Sequence, residues 1–207
     1  QPLNNISYIL INLKKRFDNQ KLDEIYLDKK ILQANEQLQF LSKTIDDFKD
    51  FYITSKEKEV FNVKEAILNA LTIINADLKA HNIVLELNFE TYEDIKIFGV
   101  KSEFSQVIIS IISNSIDVLK NIEKPKIDIN ILSNGAEVIV KILDNGGGIK
   151  HKNLKKIFEP YFTTKEDGIG IGLYLSKMII EEGFKGKILV ENQKEGVLFS
   201  LFVEKVI

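Results

Sequence analysis

The feature that most constrains this chain is a change of hydrophobic period. Leu3, Ile6, Leu10, Leu13 and Phe17 are spaced three, four, three, four, and after a polar stretch over residues 18–28 the spacing resumes at Ile31, Ala34, Leu38, Leu41, Ile45, Phe48 and Tyr52. That is the seam of helices packed nearly parallel or antiparallel. Two such helices with a short polar link make an antiparallel hairpin, and one hairpin cannot bury both seams well, whereas two copies can do so as a four-helix bundle. The seam therefore predicts a homodimer through residues 1–52. Beyond a charged break at residues 55–59 the period becomes two, in Ile83, Leu85, Leu87 and Phe89, which is the alternation of a half-buried strand. We place the domain boundary at that break, giving a helical hairpin over 1–55 and a second domain over 56–207.

The second domain reads as α+β. Asn62 with Glu65 three residues on resembles a capping box, opening a helix whose apolar face is Val63, Ala66, Ile67, Ala70, Leu71, Ile74 and Leu78. Ile95 and Ile97 suggest a short strand, and Ser102 is a candidate cap for a helix running to Lys120. Ile127, Ile129 and Ile131, the turn Asn134-Gly135, and Val138, Val140 and Ile142 read as a hairpin. A helix is expected from about Ile171 to Glu182, then two closing strands, at residues 187–191 and around Val197, Phe199, Leu201 and Val203. Hairpin-linked strands with helices on one face imply an α/β sandwich with a mixed, largely antiparallel sheet.

Composition closes several routes to function. The chain has no cysteine and only two histidines, His81 and His151, which excludes disulfides and thiolate metal sites and argues against a histidine-rich one. Net charge is -2 with lysine and acid interspersed, so nothing points to nucleic acid. No apolar run approaches the roughly 20 residues that cross a bilayer, and the opening Gln1-Pro2-Leu3, without Met or a basic start, is expected of a fragment rather than of a signal peptide.

Four segments carry candidate chemistry. On the helix QVIISIISNSIDVL, Ser110, Asn114 and Asp117 form a polar stripe among isoleucines. The Asn114 amide oxygen is a hard, neutral ligand of the type magnesium accepts while it also holds phosphates. Asp144-Asn145-Gly146-Gly147-Gly148-Ile149 follows a strand, where a fixed carboxylate can accept from an exocyclic amine such as that of adenine, and glycines let the backbone approach a flat ligand. In IFEPYFTTK, aromatics anchor a loop from which Thr163, Thr164 and Lys165 reach toward phosphate. Gly168-Ile169-Gly170-Ile171-Gly172-Leu173 opens a helix whose free N–H groups suit phosphate.

In this order the four segments resemble the N, G1, F and G2 boxes of the GHKL ATPase superfamily, and within it the sensor histidine kinases of two-component systems. The resemblance implies the Bergerat ATP-binding fold, ATP and Mg2+ as cofactors, and γ-phosphoryl transfer to a histidine for relay to a response-regulator receiver domain. It assigns magnesium and catalysis to Asn114 and adenine reading to Asp144. It assigns nucleotide contacts to Gly146, Gly148, Ile149, Thr164, Lys165, Gly168, Gly170, Gly172 and Leu173. In the family pattern His-x-x-Arg-Gln-Pro-Leu the acceptor falls just before Gln1, so residues 1–207 alone are expected to bind ATP without phosphorylating themselves. His81 and His151 read as surface residues, and Gln1 becomes a candidate for regulator dephosphorylation. The implied location is cytoplasmic, as a soluble sensor or as the inner part of a membrane-anchored one. Ser110 stands where many relatives have Asn or Glu, and Asp117 where some carry a phosphate-contacting Lys. A non-signalling ATPase of the gyrase or MutL type is the alternative, but it uses a Glu at the position of Ser110. A nucleotide-binding pseudokinase that serves as a regulator-binding module is the other.

Overall fold

The computed structural model describes residues 2–53, 57–89, 94–165 and 168–206, the side chains of 2–4 and 40–53 excepted. It divides into two compact units, Gln1–Ser55 and Lys56–Ile207. Gln1, and the side chains of Leu3, Leu41, Ile45, Phe48 and Tyr52, lie outside the described residues.

The first unit is a pair of helices, α1 (Pro2–Asp18) and α2 (Glu24–Ile53). The link is shorter than the polar stretch suggested, because α2 begins inside it. Asp23 accepts a hydrogen bond from the Tyr26 N–H at 2.8 Å and so caps that start. Arg16 closes the corner by stacking its guanidinium 3.7 Å from the Tyr26 ring centroid. The seam is also divided. On α1, Ile9 is buried and Ile6 and Leu13 are half-buried, while Leu10 (58%) and Phe17 (65%) are exposed; on α2, Ile31 and Leu38 are exposed too. The α1–α2 packing therefore leaves Leu10, Phe17, Ile31 and Leu38 as an exposed apolar stripe.

The second unit starts with β1 (Glu59–Asn62), a strand the sequence reading missed. It pairs antiparallel with β3 (Lys96–Gly99) in a two-stranded sheet. Asn62 ends β1 and caps α3 (Val63–Ala80), its Oδ1 accepting from the Glu65 N–H at 3.0 Å. The main sheet is β2 (Val84–Phe89), β4 (Lys126–Ser133), β5 (Glu137–Asp144), β7 (Val197–Glu204) and β6 (Lys187–Asn192), in that spatial order. Only β2–β4 is parallel, so the sheet is mixed and largely antiparallel. Asn134 closes the β4–β5 turn, its Oδ1 accepting from the Glu137 N–H at 2.9 Å.

Helix α4 (Lys101–Leu119) is the longest in this unit, and it buries Phe104, Val107, Ile108, Ile111, Ile112, Ile116 and Leu119. Each such side chain contributes roughly 1.5–3 kcal/mol by leaving water. Ser102 does not cap it; Val100 occupies the cap position without a side-chain bond, and Ser102 sits in the first turn. A ring cluster of Phe61, Phe104 and Phe184, with centroids 5.6–6.3 Å apart, ties β1, α4 and the approach to β6 together. The one-turn helix α5 (His151–Leu154) lies where a loop was expected. The final helix, α6 (Gly172–Met178), runs on into a π-helical turn, Ile179–Gly183.

Candidate functional site

Asp144 is the last residue of β5, paired with Ile127 of β4, and only 4% of it is exposed. Its Oδ1 accepts from the Gly146 N–H at 2.9 Å and its Oδ2 from the Ser115 hydroxyl at 3.1 Å. Burial pushes its carboxyl above the usual carboxylate range, against the opposing pull of the Gly146 and Val197 backbone and of Ser115. The result is a desolvated acceptor fixed at a strand end.

The glycine segment after it is pinned on two sides. Asn145 staples it to β4, accepting from the Lys126 N–H and donating to the Lys124 carbonyl, both at 2.8 Å. Asn192 exchanges two 2.8 Å hydrogen bonds with the Ile149 backbone. Gly196, in the β6–β7 turn, approaches so closely that a Cβ there would lie 1.7 Å from the Asp144 carbonyl oxygen. The rigid neighbours of the Asp144 segment thus come from residues far along the chain, none of which the motif pattern marks.

The polar stripe on α4 meets the aromatic-TTK loop. Lys165 donates from Nζ to Asn114 Oδ1 at 2.7 Å and to Asp117 Oδ2 at 2.5 Å. Lys120 holds the other carboxylate oxygen of Asp117 at 2.6 Å. Partial burial pushes the Asp117 carboxyl up, but the bonds and charges of Lys120 and Lys165 outweigh it and leave it below the usual range. Asp117 and Lys165 are 35% and 41% exposed, so their ion pair contributes no more than about 1 kcal/mol. It is a contact that a stronger ligand can replace.

The loop itself folds back on the second glycine segment. Tyr161 has a positive φ of 66°, and Gly170 has φ 71° with room for no side chain: a Cβ would lie 2.5 Å from the Phe162 carbonyl oxygen. Gly170→Ala is accordingly expected to lower the unfolding free energy of the second unit by about 1–3 kcal/mol. Chemical denaturation reads this directly, and an unchanged midpoint would show that the loop relaxes at no cost.

Of the residues singled out from sequence, α4 meets Asp144, Gly146, Lys165 and Gly172. Ser110 lies against Gly172, Asn114 and Asp117 hold Lys165, Ser115 holds Asp144, and Val118 lies against Gly146. Gly148 rests on Asn192, Gly168 on Thr163, and Leu173 is half-buried in the first turn of α6. Thr164 is exposed, and Ile149 engages Asn192 rather than α4. Ser115 and Asn192 were missed: Ser115 looked like one more small residue beside Asn114, and nothing local distinguishes Asn192. His81 caps the end of α3, half-buried, and His151 is exposed at the start of α5. Among the described residues no group of three His, Asp or Glu side chains could hold a metal, and no helix is long and apolar enough to cross a membrane.

Comparison with known proteins follows this geometry. Residues 99–206 match the family described as histidine kinase-, DNA gyrase B- and HSP90-like ATPase. The two-component sensor PprA of Pseudomonas aeruginosa is 30% identical over 206 residues, which cover 96% of this chain but only 22% of that protein. The catalytic domain of histidine kinase ThkA superposes with a TM-score of 0.66 at 31% identity, covering 72% of this chain and 96% of that one. A structure of ThkA in complex with response regulator protein TrrA covers 100% of this chain and 58% of that one, with a TM-score of 0.67. At 24% identity it speaks to the fold alone.

Proposed function

The chain belongs to the histidine kinase-, DNA gyrase B- and HSP90-like ATPase family, and we propose from that premise that it is the ATP-binding core of a sensor histidine kinase. The observation that carries the proposal is the convergence of the other three segments on the α4 segment. Asp144 reads the adenine amine, held in place by Ser115 and the Gly146 N–H. Gly146 and Gly148 border the base, with Ile149 beside them. Gly168, Gly170, Gly172 and Leu173 line the phosphate side, and Thr164 and Lys165 reach it from the TTK loop. The neutral Asn114 oxygen suits a magnesium ion that draws its other ligands from phosphates and water. Such an ion, when bound, neutralises charge on the phosphates; the protein's own part is to position them.

The phosphoryl acceptor in this reading is a histidine of the longer protein, on the helix that α1 continues, and the next acceptor is an aspartate of a response regulator. The similarity to the two-component sensor PprA supports that relay by analogy. The exposed stripe of the hairpin, with Leu10, Phe17, Ile31 and Leu38, fits a second copy of the chain. Ser110 at the position where gyrase-type relatives activate water with a Glu favours phosphoryl transfer over plain hydrolysis.

Labelled Mg-ATP tests the proposal on the full-length protein. It should yield protein-bound phosphate that is acid-labile and base-stable, as phosphohistidine is. ATP binding without any such label would favour the pseudokinase reading. Gln1→Ala in the same protein should spare that labelling and slow regulator dephosphorylation.

A further inference from the structure

We propose that Asp117 is a second protein oxygen of a divalent-cation seat on α4, beside Asn114, and that the ammonium of Lys165 fills this seat until a metal–nucleotide displaces it. The inference rests on the nucleotide reading above and adds to it a residue that the family pattern leaves without a role.

The geometry is that of two oxygens aimed at one cation. Asn114 Oδ1 and Asp117 Oδ2 lie 2.7 and 2.5 Å from the same Lys165 nitrogen. They come from positions three apart on one helix, which places them on one face. The other oxygen of Asp117 is engaged at 2.6 Å by Lys120, which follows the last residue of α4, so the carboxylate stays oriented when Lys165 leaves. An amide oxygen and a carboxylate oxygen are both hard ligands, and magnesium commonly takes one or two such groups while water and phosphate complete its shell. An ammonium and a divalent ion cannot occupy the same two oxygens at once.

Lys165 is built to exchange. Its backbone N–H is held by the Thr163 hydroxyl at 3.1 Å, which fixes the base of the side chain but not its tip. The tip is a flexible four-carbon arm with part of its surface in water. Expelled from the seat, the ammonium remains within reach of whatever the metal brings with it.

Calorimetric titration of ADP, with EDTA and again with saturating magnesium, tests the exchange. The ratio of the two dissociation constants measures the benefit conferred by the metal. Lys165→Met removes the competitor, so the ratio should rise about fivefold, the scale of an exposed ion pair. That rise should vanish when Asp117→Ala is added, because the seat then lacks its second oxygen. If Lys165 is only a phosphate contact, Lys165→Met weakens ADP equally in both buffers. An unchanged ratio overturns the proposal while leaving nucleotide binding intact. A rise that persists undiminished with Asp117→Ala overturns the role of Asp117. Wild type that binds ADP in neither buffer refutes the nucleotide reading itself. Both side chains are at the surface, and Lys165→Gln carries the same test should the Met variant fold poorly.

Discussion

Replacing Asp144 by asparagine is expected to weaken ATP about 100-fold while making the empty protein more stable at neutral pH. The loss follows from chemistry at the base. A carboxylate that accepts from the adenine amine becomes an amide that can present its own NH2 there, and a charge-assisted hydrogen bond contributes about 1.5–3 kcal/mol, or roughly 10- to 150-fold. The gain follows from burial. Asp144 has its proton affinity raised above the usual value of 3.8. A group raised on folding contributes stability that is complete below its unfolded value and is lost as pH rises through the folded one. As pH rises the folded wild type must come to hold a desolvated charge, whereas asparagine can keep the Gly146 N–H and the Ser115 hydroxyl bonded without it. Thermal unfolding of both proteins from acid to neutral pH should show the wild type losing ground to Asp144→Asn as pH rises. A wild type that gains on the variant over that range would mean the carboxylate is not desolvated. The site thus has its stability compromised at the residue on which recognition depends, which is a common cost of function.

The second large effect concerns assembly. Leu10→Asp together with Leu38→Asp is expected to convert a dimer into a monomer. Both leucines are more than half exposed in a single chain, at 58% and 51%. In a two-chain bundle each would bury most of that surface, for roughly 1.5–3 kcal/mol per side chain. A carboxylate there reverses the sign and adds a desolvation cost of several kcal/mol, and symmetry doubles every term. Light scattering at about tens of micromolar, a range that micromolar or tighter dimers saturate, should find wild type dimeric and the variant monomeric. ATP affinity should be unaffected, since the second unit has its own core and the candidate site lies entirely within it. A wild type that runs as a monomer, or a variant that still dimerises, would leave the exposed stripe without an occupant.

What the sequence disclosed and what it hid have physical causes. The change of period from 3.5 to two was legible because amphipathic helices and half-buried strands impose it over many residues. The capping Asn62 and the Asn134-Gly135 turn were legible because capping is local. Strand β1 was not, since four residues reading Glu-Val-Phe-Asn carry no alternation long enough to register, and only its pairing with β3 makes it a strand. Ser102 failed as a cap for the opposite reason: the local signal was present, but α4 starts one residue ahead of it, at Lys101. In the site, Asn114, Asp144 and the glycines were visible as a spaced pattern. Ser115, Asn192 and Gly196 were not, because each acts across a tertiary contact with Asp144 or its loop. The departure at Asp117 was visible as a residue but not as a partner. Its meaning emerges only with Lys165, 48 positions away.

The most direct test of the central claim is a calorimetric titration of Mg-ATP into the protein, with Mg-GTP as the comparison. Guanine presents a carbonyl oxygen where adenine presents its amine, and that oxygen would face the buried Asp144 carboxylate with no hydrogen to share. The account predicts saturable one-site binding of ATP, weakened about 100-fold in Asp144→Asn, and no measurable binding of GTP at the same concentrations. Absence of ATP binding, or equal affinity for the two nucleotides, would contradict it.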